Sequence, residues 1–190
     1  MREQITNALK LLKEGSLEST DDRASRSVCR FLDKYVLKVP HGCDSKSVME
    51  LQVWGDCPSY LRHLLVPVVA SFYLDDKLVL VMERVETVEE RLSINSRFMG
   101  FSTQIRESIV EKCGFIEWIM HELGLAAEID TWTADVEKLA KLCDLSLANI
   151  FWSPENLGIK NGKLVILDYG YVETVDYPER IVDFQKKNAI

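Results

Sequence analysis

The chain has 190 residues, 47% apolar and 28% charged, with a formal net charge of −7. That composition fits one folded domain or two small lobes, and its acidity excludes non-specific nucleic-acid binding, which needs a basic surface. No apolar run approaches the roughly 18 residues of a membrane span, MREQITNALK lacks the apolar core of a signal peptide, and five scattered cysteines form no C-x-x-C pair, so a cytoplasmic chain with reduced thiols is expected, without membrane or nucleic-acid partners.

In chain order, residues 2–13 predict an amphipathic helix, with Ile5, Leu9 and Leu12 on one face and Gly15 as its stop. The polar run SLESTDDRASRS reads as a loop. Residues 28–32 and 35–39 predict two strands around Asp33-Lys34, the second, YVLKVP, embedding Lys38 among apolar residues. A lone lysine there is either a snorkelling edge residue or a phosphate clamp. SKSVMELQVW (45–54) predicts a helix with Met49, Val53 and Trp54 on its apolar side and Glu50 among them. Residues 65–73 and 77–82 predict two further strands joined at Asp75-Asp76, after which Glu83-Arg84-Val85-Glu86 leads into a charged linker. The first half is thus expected to be a small antiparallel sheet with one helix inserted after its lysine strand.

The second half opens on a linker, 87–104, without a clear pattern. Residues 105–123 have a mainly helical rhythm, interrupted by Gly114 and ended by Leu123-Gly124-Leu125. A helix is predicted from about Ala134 to Leu142, with Thr133 as N-cap and Val136, Leu139 and Leu142 on its buried side. Trp118, Trp132 and Trp152 are expected in the core. Near the end, Asn161-Gly162 is the strongest hairpin signal in the chain, since both central residues of a type I′ turn need φ > 0. Pairing outward sets Lys160 against Lys163, Ile159 against Leu164, Leu157 against Ile166, and Asn156 against Leu167, one step from Asp168. An amide oxygen and a carboxylate at the open end of one hairpin suit a shared Mg²⁺, which prefers oxygen ligands.

Four features stand in the order found in protein kinases. Lys38 in YVLKVP resembles the lysine of their V-A-I-K strand, and Glu50 stands where their αC glutamate would pair with it. VMERVE (81–86) is similar to the hinge, with Met82 as gatekeeper, and Asp168-Tyr169-Gly170 resembles the D-F-G metal motif. With Asn156-Leu157-Gly158 as an N-x-G run, the chain most resembles small divergent kinase-like proteins of bacteria and their phages. The resemblance implies an α+β fold of minimal two-lobed kinase-like form: one domain over 1–190, an N-lobe to about residue 86 and a truncated C-lobe from about 87, with a catalytic-loop hairpin. It implies an ATP- and Mg²⁺-dependent phosphotransferase. Lys38, held by Glu50, would contact phosphates, and Met82 with the backbone at Glu83 and Val85 would hold adenine. Asp168 and an asparagine would bind the metal, and Asp144 would act as the base. The acceptor implied is a protein hydroxyl, with a small molecule as the alternative.

Three departures qualify the resemblance. No G-x-G-x-x-G precedes the lysine strand, where DDRASRS stands instead, leaving serines and Arg23 or Arg26 as substitutes. The sequence continues only 20 residues past Gly170, with no A-P-E run. The catalytic loop fits two registers. Asp144 to Asn149 matches D-x-x-x-x-N and makes Asn149 the ligand, whereas Ser153–Gly158 makes Asn156 the ligand and puts Phe151 at the position of the base. An insertion between Asp144 and Ser153 would reconcile Asp144 as base with Asn156 as ligand. These departures keep open a second expectation, a nucleotide-binding or empty, inactive pseudokinase that acts by binding a partner protein.

Overall fold

The structure, a computed structural model, describes residues 6–7, 10–12, 14–15, 19–23, 26–93, 114–147, 150 and 154–170, with the backbone alone for 19–23 and 154. It is α+β and divides into two compact units. The described residues of the first lie within Met1–Gly55 and Pro67–Arg84, and those of the second within Asp56–Val66 and Val85–Thr174.

The first unit is built on a five-stranded antiparallel sheet: β1 (Ser19–Arg23), β2 (Arg26–Phe31), β3 (Tyr35–Pro40), β4 (Val68–Leu74) and β5 (Lys77–Glu83), in the order β1-β2-β3-β5-β4. Tight turns set the registers. Asp75 and Asp76 both have positive φ, 49° and 60°, as a two-residue hairpin turn requires, and they pair Leu74 with Lys77. The β2–β3 turn places Leu32 at φ 53° and pairs Phe31 with Tyr35.

Because side chains alternate along a strand, one sheet face carries Cys29, Phe31, Leu37, Val79 and Val81 in a buried cluster. Leu12, from the helical residues 10–12, packs on that cluster together with Phe72 and Leu74. The opposite face carries Val36, Lys38, Leu80 and Met82, which the register pairs as Val36 with Met82 and Lys38 with Leu80. Helix α1 (Ser45–Asp56) follows β3, and Asp44 fixes its entry. The carbonyl of Asp44 accepts from Val48 N–H in the first turn, and its Oδ2 accepts from Leu78 N–H at 3.0 Å. Lys77 Nζ, donating to His41 O at 2.7 Å, ties the same loop to the start of β5.

Two expectations change here. The stretch expected as loop after Gly15 contains β1, whose Asp21, Asp22 and Arg23 pair with Val28, Ser27 and Arg26. STDDR has little strand propensity of its own, so the preformed edge of β2 supplies the pairing, and a charged outer strand blunts that edge against further chains. The strand expected from Leu65 starts only at Val68. Pro67 has no N–H for a ladder, and Leu65 and Val66 pair with Ile166 instead.

The second unit contains a three-stranded antiparallel sheet, β6 (Glu86–Thr87), β7 (Leu157–Lys160) and β8 (Lys163–Ile166), in that order. Helix α2 (Val88–Leu92) begins inside the stretch expected as linker. Its signal was a capping box: Glu90 N–H donates to Thr87 Oγ1 at 3.0 Å, and Thr87 N–H donates to Glu90 Oε2 at 2.9 Å. Helix α3 (Phe115–Glu122) lies within the predicted 105–123 helix and starts after Gly114, at φ 68°. The earlier part of that prediction and most of 2–13 fall outside the described residues, as does Trp152.

Helix α4 (Ile129–Cys143) is longer than predicted at its start. A 3-10 turn at Ala126–Glu128 runs straight into it, so Thr133 is interior and caps nothing. Its buried stripe is Trp132, Val136, Leu139 and Ala140, spaced i, i+4, i+7 and i+8, and Leu142 falls outside it at 59% exposure. Trp132 Nε1 donates to Leu164 O at 3.0 Å and anchors α4 to β8. Trp118 is only partly buried.

Candidate functional site

In the first unit the candidate residues converge on one carboxylate. Glu50 is fully buried on α1, and its Oε1 accepts from Lys38 Nζ at 2.6 Å. Its Oε2 accepts from Arg26 NH1, also at 2.6 Å. Lys38 and Arg26 are 7% and 5% exposed, so all three charges lie within the protein. The geometry follows from local sequence. Lys38 stands on β3, the central strand, and not on an edge, which removes the snorkelling reading. Val28 lies opposite Lys38 and Arg26 opposite Pro40, so Arg26 and Lys38 project from the same face as diagonal neighbours. α1 crosses that face because Asp44 and Lys77 tie its entry to β5. The charged donors and the carboxylate form short, strong hydrogen bonds.

Met82 is buried on β5, on the face that carries Lys38, with Val36 and Val68 as its strand partners. Glu83 N–H donates to Pro67 O at 3.1 Å, so any backbone contribution of Glu83 to a ligand is confined to its carbonyl. Arg84 N–H donates to Lys34 O at 2.8 Å, and Val85 is the first residue of this stretch that belongs to the second unit.

In the second unit the predicted hairpin register is observed pair for pair: Leu157 with Ile166, Ile159 with Leu164, and Lys160 with Lys163. Asn161 at φ 52° and Gly162 at φ 75° form the turn. Beyond the ladder, Leu167 N–H donates to Asn156 O at 2.7 Å, which fixes buried Asn156 one residue from Asp168. Gly158 permits a close approach there. A Cβ on it would lie 2.7 Å from Val85 Cγ2, 2.8 Å from Leu167 Cδ2 and 3.1 Å from Glu86 O. Tyr169 is buried, and its hydroxyl donates to Val66 O at 2.8 Å. Asp168 is partly buried beside it.

Asp144 is the C-cap of α4 in the left-handed region, φ 55° and ψ 44°, and donates its N–H to Ala140 O. Aspartate tolerates that conformation better than most residues, although glycine is usual at such a helix end. Asn149 and Phe151, on which the two registers of the catalytic loop differ, lie outside the described residues. Among the described residues no group of three or more His, Cys, Asp or Glu side chains gathers as a metal site, and no helix is long and apolar enough to cross a membrane. An amide oxygen and a carboxylate held at the end of one hairpin match the oxygen preference of Mg²⁺, which keeps several waters and needs few protein ligands.

Sequence reasoning raised Arg26 only as a stand-in for a glycine loop and did not foresee its contact with Glu50. The available signal was the strand periodicity, which puts Arg26 and Lys38 on one face once the β2–β3 register is known. The anchoring of Tyr169 to Val66 had no sequence signal, because the two are 103 residues apart.

The sequence matches no protein-family model and no curated protein. Its fold is similar to that of aminoglycoside 2'-phosphotransferase-IIIa in its GDP complex, at TM-score 0.42 and 12% identity, over 96% of this chain and 83% of that one. It is also similar to the GDP and kanamycin complex of APH(2")-IIia, at TM-score 0.40 and 11% identity over 96% and 82%. A third likeness is to the streptomycin-ATP-APH(2")-IIa ternary complex, at TM-score 0.37 and 15% identity over 98% and 84%.

Proposed function

We propose that the chain is an ATP- and Mg²⁺-dependent phosphotransferase of protein-kinase-like form, a single domain with an N-lobe to about residue 86 and a C-lobe beyond it. The observation that supports it most is the Lys38–Glu50 pair, buried on the central strand and on the helix that follows. Removing such charges from water costs several kcal/mol each, and a buried ion pair is a poor source of stability. A cation fixed in place by a carboxylate is, however, what phosphate contact requires.

In this reading Lys38 contacts the α- and β-phosphates and Glu50 orients it. Met82, the Glu83 carbonyl and the Val85 backbone hold adenine. Asn156 and Asp168 are the metal donors, with Asn149 the alternative to Asn156, and a bound Mg²⁺ supplies neutralising charge at the phosphates. Asp144 accepts the proton of the acceptor hydroxyl. Catalysis then rests on positioning and charge, as phosphoryl transfer allows. The acceptor is a protein serine or threonine, and the compartment a cytoplasm that keeps Cys29, Cys43, Cys57 and Cys143 as free thiols. The test is γ-phosphate transfer from ATP, with protein and small hydroxyl acceptors, aminoglycosides included. Transfer is expected from the wild-type chain and lost in Lys38→Ala and Asp168→Ala; transfer retained by both variants sinks the reading.

A second reading, a nucleotide-binding protein that acts through a partner without turnover, is favoured by the β1–β2 connection. Arg23 pairs with Arg26, leaving only Ala24 and Ser25 between the strands, with no glycine. Glycine is what lets backbone amides approach phosphates without intervening side chains. ATP would then raise the melting temperature by linkage while no product forms.

A further inference from the structure

We propose that Arg26 is a positioning residue for Lys38, acting through the second oxygen of Glu50. The inference rests on the nucleotide reading above and adds to it a residue outside the set that the kinase resemblance supplied. Glu50 is fully buried and divides its two oxygens between two cations at equal distances, Oε1 to Lys38 and Oε2 to Arg26, 2.6 Å each. Its plane and direction are therefore fixed at two points. A lysine stem alone is flexible and carries a compact point charge; a guanidinium is planar and stays charged at any working pH.

The arrangement answers a physical difficulty. Phosphates that draw on Lys38 Nζ compete with Glu50 for it, and a buried carboxylate that loses its cation is strongly disfavoured. With Arg26 on Oε2, Glu50 keeps a charged partner throughout, and Lys38 can share its three donors between Glu50 and a phosphate. Strand register builds the arrangement in: Val28 opposes Lys38 and Arg26 opposes Pro40, so both cations leave the same face of the sheet toward α1. The β1–β2 stretch DDRASRS contains no glycine to bring backbone amides to phosphates, so the geometry of this subsite depends all the more on how firmly Lys38 is held.

The test uses the full chain and calorimetric titration of Mg-ATP and of adenosine, which lacks phosphates. Titrations cover the wild type, Arg26→Gln, Lys38→Met and the double variant. Arg26→Gln is expected to weaken Mg-ATP about tenfold, the loss typical of one charge-assisted contact, and to leave adenosine unchanged. In the Lys38→Met background it should add nothing. Equal ATP affinity in Arg26→Gln and wild type overturns the proposal. So does an equal loss for ATP and adenosine, which marks a merely structural role, or a full loss that persists without Lys38. Should Arg26→Gln not fold, Arg26→Lys carries the same cycle, with an ATP loss of about threefold expected and an unchanged affinity contradicting the inference. A wild-type chain that binds neither ligand removes the nucleotide reading itself, and this inference with it.

Discussion

The hydroxyl of Tyr169 donates to the carbonyl of Val66 at 2.8 Å, and Val66 in turn donates its N–H to Ile166 O at 3.1 Å. One residue is thus gripped from both sides by β8 and by the turn that follows it, and Asp168 lies between the two grips. Tyr169→Phe keeps the ring and removes one donor, leaving a buried carbonyl short of a partner. The expected cost is about 1–3 kcal/mol in urea unfolding. Under the proposed function the rate of transfer falls further than that loss of stability explains at a temperature where the variant is fully folded, because Asp168 is less well held.

Glu50 and Lys38 should not be equivalent in stability. Glu50→Gln sets two buried cations, Lys38 and Arg26, against a neutral amide and is expected to cost about 3 kcal/mol. Lys38→Met leaves Glu50 with Arg26 and should cost clearly less. Denaturant midpoints of the two variants check the order; a Lys38→Met loss as large as that of Glu50→Gln contradicts the shared-carboxylate account.

A glycine substitution at Asp144 tests catalysis apart from stability. Its left-handed backbone suits glycine, so Asp144→Gly relieves that conformation and is expected to change stability by less than about 1 kcal/mol. If Asp144 is the base, transfer falls by about a hundredfold or more while ATP affinity stays. Transfer unchanged in Asp144→Gly would remove Asp144 from the chemistry.

The cysteines give a pH prediction. Burial pushes the Cys143 thiol from its ordinary value of 9.0 up to about 11, with Cys57 and Asp56 adding to the shift. Burial also raises Cys57, against the opposing effect of Arg62. Both folded values lie above the unfolded one, so the stability they contribute is complete below pH 9 and is lost as pH rises toward 11. Among the thiols of the described residues, iodoacetamide at pH 8 should modify exposed Cys43 ahead of Cys57 and Cys143. Mass spectrometry of a short labelling pulse reads the order.

Local chemistry was legible wherever it alone decides structure. Asn161-Gly162 and Asp75-Asp76 announced their hairpins, the apolar run around Lys38 gave its strand, and Met49, Val53 and Trp54 gave the helix that carries Glu50. What the sequence hid depends on partners distant in the chain. β1 is a strand only because β2 offers it an edge, and Leu65-Val66 looked like the start of β4 until Ile166 claimed it. Thr133 resembled a helix cap because nothing local shows that a 3-10 turn enters the helix earlier. Arg26 had the right periodicity, but its role needed the β2–β3 register and the burial of Glu50 together.

The central claim is that the Lys38–Glu50 pair receives nucleotide phosphates. Calorimetric titration of Mg-ATP into the wild-type chain and into Lys38→Met tests it most directly. The account predicts saturable one-site binding to the wild type and at least about a tenfold loss in Lys38→Met, with the variant still folded. Equal affinity in the two chains, or no binding to a folded wild-type chain, would contradict it.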